Sequence, residues 1–264
     1  MTGRRRPAER RWGLITATGL FTVIPVPPRD EITSSDAEAA INWLPALGAL
    51  IGSAAGVLGW LTFWFGGSPF LGAVVCVGLF ALITGGLHLD GLADTMDALA
   101  SRKPREAALA IMKRSDIGPM GVLAILFAVL FQVAGVTHVL AVGSLGQVIA
   151  VCALAGVIGR LAVVGACAGP NSARSGGFGD IFVGVMSPIQ VGAISLAAAF
   201  AVVAAATVWT NPVGFYAAAL ISVAVVAIQH RRLSKRFGGM TGDLFGCLIE
   251  SGQTFVIVFA CLSI

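Results

Sequence analysis

Seven apolar runs, each long enough to cross a bilayer, take up most of this chain: about residues 43–65, 69–87, 119–141, 144–167, 189–209, 213–229 and 243–262. No stretch alternates apolar and polar residues as a barrel strand would, so the spans are expected to be helices, which satisfy their own backbone in lipid. The charged fraction is 11%, against about 25% in soluble domains. The expected fold is all-α: a polytopic membrane helical bundle of about seven transmembrane helices, forming a single integral membrane domain over residues 1–264. The very short turns at 66–69, 143–144 and 210–212 predict antiparallel neighbours. Thirty-four glycines suit close helix packing in lipid. Five scattered cysteines, with no CxxC and no Cys/His cluster, argue against both a disulfide framework and a zinc site.

The apolar stretch from Trp12 to Ile24 is too short to span easily and is read as an interfacial or half-inserted helix. Residues 1–42 form a cytoplasmic arm, with Ser34 or Ser35 capping a short surface helix. With that arm inside, the segments on the same side are 88–118, 168–188 and 230–242. They hold Arg102, Lys103, Arg105, Lys113, Arg114, Arg174, Arg231, Arg232, Lys235 and Arg236, whereas the three short turns opposite hold no Lys or Arg. The asymmetry places the N-terminus and the polar chemistry in the cytoplasm and the C-terminus outside, in a cytoplasmic membrane. A transporter normally carries polar groups at mid-depth and on both sides.

Within 88–118, the expected catalytic segment, His88-Leu-Asp-Gly-Leu-Ala-Asp-Thr-Met-Asp97 carries three of the thirteen acids. Asp90, Asp94 and Asp97 follow i, i+4, i+7 spacing, which spreads them over roughly 60° of a helix face. Three crowded carboxylates repel one another and call for a cation. Oxygen-only ligands suit Mg²⁺, which combines a few carboxylates with substrate phosphates. The alternative is a solvated acidic face. Basic residues follow at once, in Arg102-Lys-Pro-Arg105 and in Lys113-Arg114-Ser115-Asp116. Lysine and arginine beside an acid cluster fit a phosphate-rich substrate; the alternative is a loop that only anchors topology.

Arg160 and Glu250 lie inside apolar runs, where an ionised group is costly and reads as functional. Arg160 either serves the site or snorkels to the surface. Glu250 either ligates a metal ion or pairs with Arg160. Asn171-Ser-Ala-Arg174-Ser-Gly-Gly-Phe-Gly-Asp180 is a glycine-rich loop able to approach phosphate, with Arg174 as its charge. In Gly238-Gly-Met-Thr-Gly-Asp243, Thr241 either caps the last span or leaves its amides to an anion. Asp243 lies seven residues before Glu250, on nearly the same face. His88 is placed to hydrogen-bond a carboxylate or a phosphate.

Four pieces of the chain resemble the cobalamin-5′-phosphate synthase family, whose members are also called adenosylcobinamide-GDP ribazoletransferases. They are Phe21-Thr-Val-Ile-Pro-Val-Pro27, Gly85-Gly-Leu-His-Leu-Asp-Gly-Leu-Ala-Asp-Thr-Met-Asp97, Ile111-Met-Lys-Arg-Ser-Asp-Ile-Gly118 and Gly238-Gly-Met-Thr-Gly-Asp-Leu-Phe-Gly-Cys-Leu-Ile-Glu250. They stand in the family's order from end to end. Val23 replaces a common arginine, and Arg114 and Asp116 carry signs exchanged relative to the family's Lys-Asp-Ser-Arg-x-Gly.

The resemblance implies a reaction. A ribose hydroxyl of α-ribazole, or of its 5′-phosphate, attacks adenosylcobinamide-GDP and displaces GMP. Asp90, Asp94 and Asp97 would hold Mg²⁺, with Glu250 among the catalytic carboxylates. His88, Lys113, Arg114, Ser115, Arg160, Arg174 and Asp243 would bind substrate. The partners implied are these small molecules, the lipid bilayer, and either a second copy of the chain or other cobalamin-assembly enzymes, with no nucleic acid. Two rivals stand beside it: a CDP-alcohol-type phosphotransferase and a transporter. The former needs D-x2-D-G-x2-A-R, but Leu87 and Asp94 stand where its first Asp and its Arg belong.

Overall fold

The computed structural model describes residues 7–28, 31–169, 171–174, 176–209, 212–261 and 263. Residues 1–6 of the expected arm and Thr210 and Asn211 of the third short turn lie outside the described residues. Ten α-helices follow in order: α1 (Pro7–Phe21), α2 (Ser34–Gly66), α3 (Pro69–Ile83), α4 (Leu87–Ala100), α5 (Arg105–Ile111), α6 (Pro119–Val142), α7 (Leu145–Ala166), α8 (Pro188–Ala205), α9 (Val213–Phe237) and α10 (Gly242–Cys261). Single 3₁₀ turns occupy Phe178–Phe182 and Ala206–Val208. Among the described residues six helices are long and apolar enough to cross a membrane: α2, α6, α7, α8 with its 3₁₀ extension, α9 and α10. The α3–α4 pair is apolar enough only when taken together, and it is bent by 86° at its break.

That bend corrects the expected span 69–87. α3 stops at Ile83, and Gly85 and Gly86 follow with φ of 60° and 75°, a left-handed pair that glycine adopts without penalty. The Val23 amide donates to the Ile83 carbonyl (2.8 Å) and braces the corner. α4 therefore leaves the direction of α3 and packs on α6 and α10. The expected short helix near Ser34 is likewise corrected. Thr33 is the cap, in a reciprocal capping box with Asp36, and one 33-residue helix runs unbroken through Pro45 to Gly66.

The centre of the bundle is α7, packed most closely on α2. Gly48 and Gly52 of α2 meet the backbone of Gly156 and Cys152 of α7, so any β-carbon at the two glycines would collide. Small residues at spacing four thus permit the closest helix approach, as expected in lipid. Short turns do not make close neighbours throughout. α2 and α3 pack along their length, but α6 leaves α7 to lie on α3, α4 and α10, and α8 scarcely meets α9. Every cysteine is free, and all but Cys261 are buried.

The three charged segments meet at one end of the bundle. Arg105 Nη2 donates to the Ala173 carbonyl (3.4 Å), and Arg236 Nη2 to that of Lys103 (2.5 Å).

Candidate active site

The site is built where α4 crosses the start of α10. Gly91 rests on the backbone of Asp243 and Gly246, where a β-carbon on Gly91 would come within 2.6 Å of the Asp243 carbonyl oxygen. Gly246 lies on the His88 backbone, its own β-carbon position 3.1 Å from the His88 carbonyl oxygen. Backbone contact at this crossing brings Asp90 and Asp94 beside Asp243. Burial pushes the Asp94 carboxyl up to about 7, helped by the charges of Asp90, Asp243 and Asp97 and opposed by Arg174.

Arg174 arrives by a different route. The Met240 amide donates to the Asn171 carbonyl (3.2 Å) and the Ala173 amide to the Met240 carbonyl (3.0 Å). This pairing needs Gly238 and Gly239, whose φ values are 73° and 148°. The loop so fixed sets Arg174 Nη2 at 3.8 Å from an Asp243 carboxylate oxygen. Arg174 Nη1 is buried without a hydrogen-bond partner, and so is His88 Nε2. Thr241 is the cap of α10, its Oγ1 accepting from the Leu244 amide (3.2 Å). The loop closes through Asp180, which accepts from the Gly176 amide (2.9 Å).

Asp97 is engaged differently from its neighbours. Its two carboxylate oxygens accept from the amides of Gly118 (2.6 Å) and Gly121 (2.8 Å). A carboxylate there satisfies donors and meets the positive end of the α6 dipole. It ties the end of α4 to the start of α6. Lys113, Arg114 and Ser115, just before that anchor, are exposed. Arg114 is held bidentately by Asp116 (2.8 and 2.5 Å), which lowers the Asp116 pKa and raises that of Arg114. The exchanged signs therefore keep an ion pair.

Arg160 does not snorkel: it is 1% exposed, inside the bundle. It donates to Gln253, one turn beyond Glu250. Glu250, also buried, accepts from Gln132 Nε2 (3.1 Å), which donates as well to Thr254 (3.0 Å). This network joins α6, α7 and α10 under the acid cluster. Gln132 and Gln253 escaped the sequence reading. The signal that finds them is a glutamine inside a span, which seeks a hydrogen bond on a neighbouring helix.

Two clefts share Phe21, Leu87 and Asp90. The wider, about 660 Å³, runs between residues 20–23 and 84–89. The narrower, about 150 Å³, is lined by Arg174, His88, Asp243 and Phe178. Among the described residues no three His, Cys, Asp or Glu side chains converge as a ready-made metal cage. Asp90, which lines both clefts, and Asp94, one turn further along α4, are nevertheless hard, mutually repelling donors. They fit an ion that takes the rest of its shell from water and phosphate, which is the habit of Mg²⁺.

The fold and this site define a polytopic helical membrane protein with an acidic, arginine-backed cleft suited to phosphate chemistry. A family model described as cobalamin-5-phosphate synthase matches residues 13–261, and the chain belongs to that family. It is 32% identical to the adenosylcobinamide-GDP ribazoletransferase of Brevibacillus brevis, over 92% of this chain and 94% of the relative. To the protein of that name from Thermoanaerobacter sp. it is 31% identical, over 95% and 98%. No solved structure matches this chain.

Proposed function

We propose that this chain joins α-ribazole, or its 5′-phosphate, to the cobinamide phosphate of adenosylcobinamide-GDP and releases GMP. The observation that carries the reading is the α4–α10 crossing, which sets Asp90 and Asp94 from the family's most specific motif against Asp243 and Arg174. A ribose hydroxyl attacks the phosphorus on the cobinamide side. Its oxygen forms the new P–O bond, the pyrophosphate bridge breaks, and the electron pair leaves with GMP. A carboxylate of this cluster takes the hydroxyl proton. Arg174 and His88, with unsatisfied buried nitrogens, hold phosphate oxygens. The wide cleft beside Asp90 accommodates the corrinoid arm. Asp90 and Asp94 are the residues that would hold Mg²⁺, whose contribution when bound is to neutralise pyrophosphate charge. Asp97 and Glu250 position helices, and Lys113 adds positive charge at the rim.

The charged end is placed in the cytoplasm, with the C-terminus outside, on the distribution of Lys and Arg. A transporter is disfavoured because the open ionic groups gather at one end while Arg160 and Glu250 are sealed inside. The deciding experiment supplies purified protein with adenosylcobinamide-GDP, α-ribazole phosphate and Mg²⁺ and follows both products. Joint appearance of GMP and the ligated corrinoid is expected. GMP without ligation would make the protein a hydrolase, and no GMP from folded protein would return the transporter.

A further inference from the structure

The narrow cleft has an aromatic wall that the transfer chemistry does not use. Phe21, the first residue of the N-terminal motif, is buried at the end of α1. It meets Phe178 (centroids 6.2 Å apart, planes at 70°) and Phe182 (5.4 Å). Phe178 and Phe182 contact edge-to-face at 5.2 Å. Phe182 is fully buried, yet Phe178, held between Gly177 and Gly179, leaves 46% of its surface open. Its ring also reaches the start of α10, with Cδ1 3.7 Å from the β-carbon position of Gly242. Two buried rings thus brace a third that stays about half open, beside Asp90, Asp243 and the unpartnered nitrogens of His88 and Arg174.

A half-open ring that lines a cleft and is braced by two buried rings is a stacking platform for a planar heteroaromatic base. The remaining wall of the cleft is apolar, formed by Leu87, Phe245 and Ile249. Guanine set there would leave the donors and acceptors of its edge unpaired, at a cost a specific site avoids. The benzo edge of a benzimidazole carries no such groups, and the base has a single acceptor, its free imidazole nitrogen. Resting on the reaction proposed above, we infer that Phe178, backed by Phe21, stacks the benzimidazole base of α-ribazole. His88 and Arg174 then lie on its ribose-phosphate side, and the hydroxyl points toward Asp90 and Asp94. The acceptor thus occupies the narrow cleft and the corrinoid donor the wide one, meeting at Asp90.

The test is equilibrium binding of α-ribazole phosphate to purified full-length protein in detergent, read by benzimidazole fluorescence, with GMP binding measured in parallel. Phe178→Ala and Phe178→Leu should each weaken α-ribazole phosphate about tenfold or more, the scale of one lost base stack. Phe178→Trp should bind within about twofold of wild type, and GMP should be unaffected by all three. Weakened GMP with unchanged α-ribazole phosphate would assign the platform to guanine and overturn the inference. So would a leucine variant that binds as well as phenylalanine. Phe178 is half open, so these variants should keep the wild-type helical circular dichroism. Because binding is read without turnover, the subsite and the reaction fail separately. A base-stacking series in a protein that makes no corrinoid product would sink only the reaction. Product formation with an unchanged KM for α-ribazole phosphate in Phe178→Ala would sink only the subsite.

Discussion

Gly91 lies directly on the backbone of Asp243, closely enough that a β-carbon would sit 2.6 Å from its carbonyl oxygen and 3.1 Å from its Cα. Backbone cannot yield as a flexible side chain can, so Gly91→Ala must part α4 from α10. Asp90 and Asp94 would then move away from Asp243 and Arg174. Displacements of about 1 Å in a catalytic constellation cost on the order of a hundredfold in rate. The expected outcome is a fall in kcat of that order with helical circular dichroism retained. Near-normal kcat would show that the crossing does not set the site.

Asp94 makes stability and activity oppose each other. Folding moves its pKa from 3.8 to about 7, so the native state holds this proton more tightly than the unfolded chain. In metal-free protein its contribution to stability is complete below about pH 4 and is lost as the pH climbs through 7. Asp94→Asn removes that loss. Without divalent ions at pH 8 its Tm should exceed the wild-type value, while turnover disappears. A Tm no higher than wild type would contradict the crowding of carboxylates, and retained turnover would remove Asp94 from the chemistry.

Asp97→Asn keeps the side chain's shape but replaces one acceptor oxygen at the start of α6 by an amide donor. Hydrogen bonds to a charged group contribute about 1.5–3 kcal/mol each. Thermal unfolding should register a loss of that order at pH 7. An unchanged Tm together with weaker activation by Mg²⁺ would assign this carboxylate to the ion instead.

Chelation separates the proposed metal from the fold. EDTA should stop GMP release and leave the helical signal intact, and excess Mg²⁺ should restore the rate. Full turnover in EDTA would exclude a part for Mg²⁺ at Asp90 and Asp94.

The Arg114–Asp116 pair is testable by exchange. Arg114→Asp with Asp116→Arg rebuilds an exposed ion pair, whose net worth is small in either order, so turnover should stay within about threefold of wild type. Each single reversal sets two like charges side by side and should be the poorer enzyme. A double variant as impaired as the singles would mean that one of the two touches substrate.

Much of the fold was legible because it depends on local stretches of chain. The apolar runs at 119–141, 144–167 and 243–262 return as α6, α7 and α10 within a few residues. The continuation of α2 from Ser34 was hidden because its first turns are polar, although packing and the Thr33 cap carry the helix through them. The site was legible only in part. The spacing of Asp90, Asp94 and Asp97 put them on one face, but which atoms meet that face is a long-range matter.

The sequence by itself determined that this chain builds a bundle of membrane-spanning helices with its charge gathered at one end and an acid-rich helix there. Burial of apolar runs and exclusion of charge from lipid act on each segment wherever its neighbours lie. Tertiary structure alone decided how the acids divide. Asp90 and Asp94 meet Asp243 because two glycines let α4 and α10 touch, Asp97 is drawn off by amides at the start of α6, and Glu250 is satisfied by Gln132. Those outcomes rest on backbone approach and hydrogen bonding between residues distant in the chain, which no local pattern encodes.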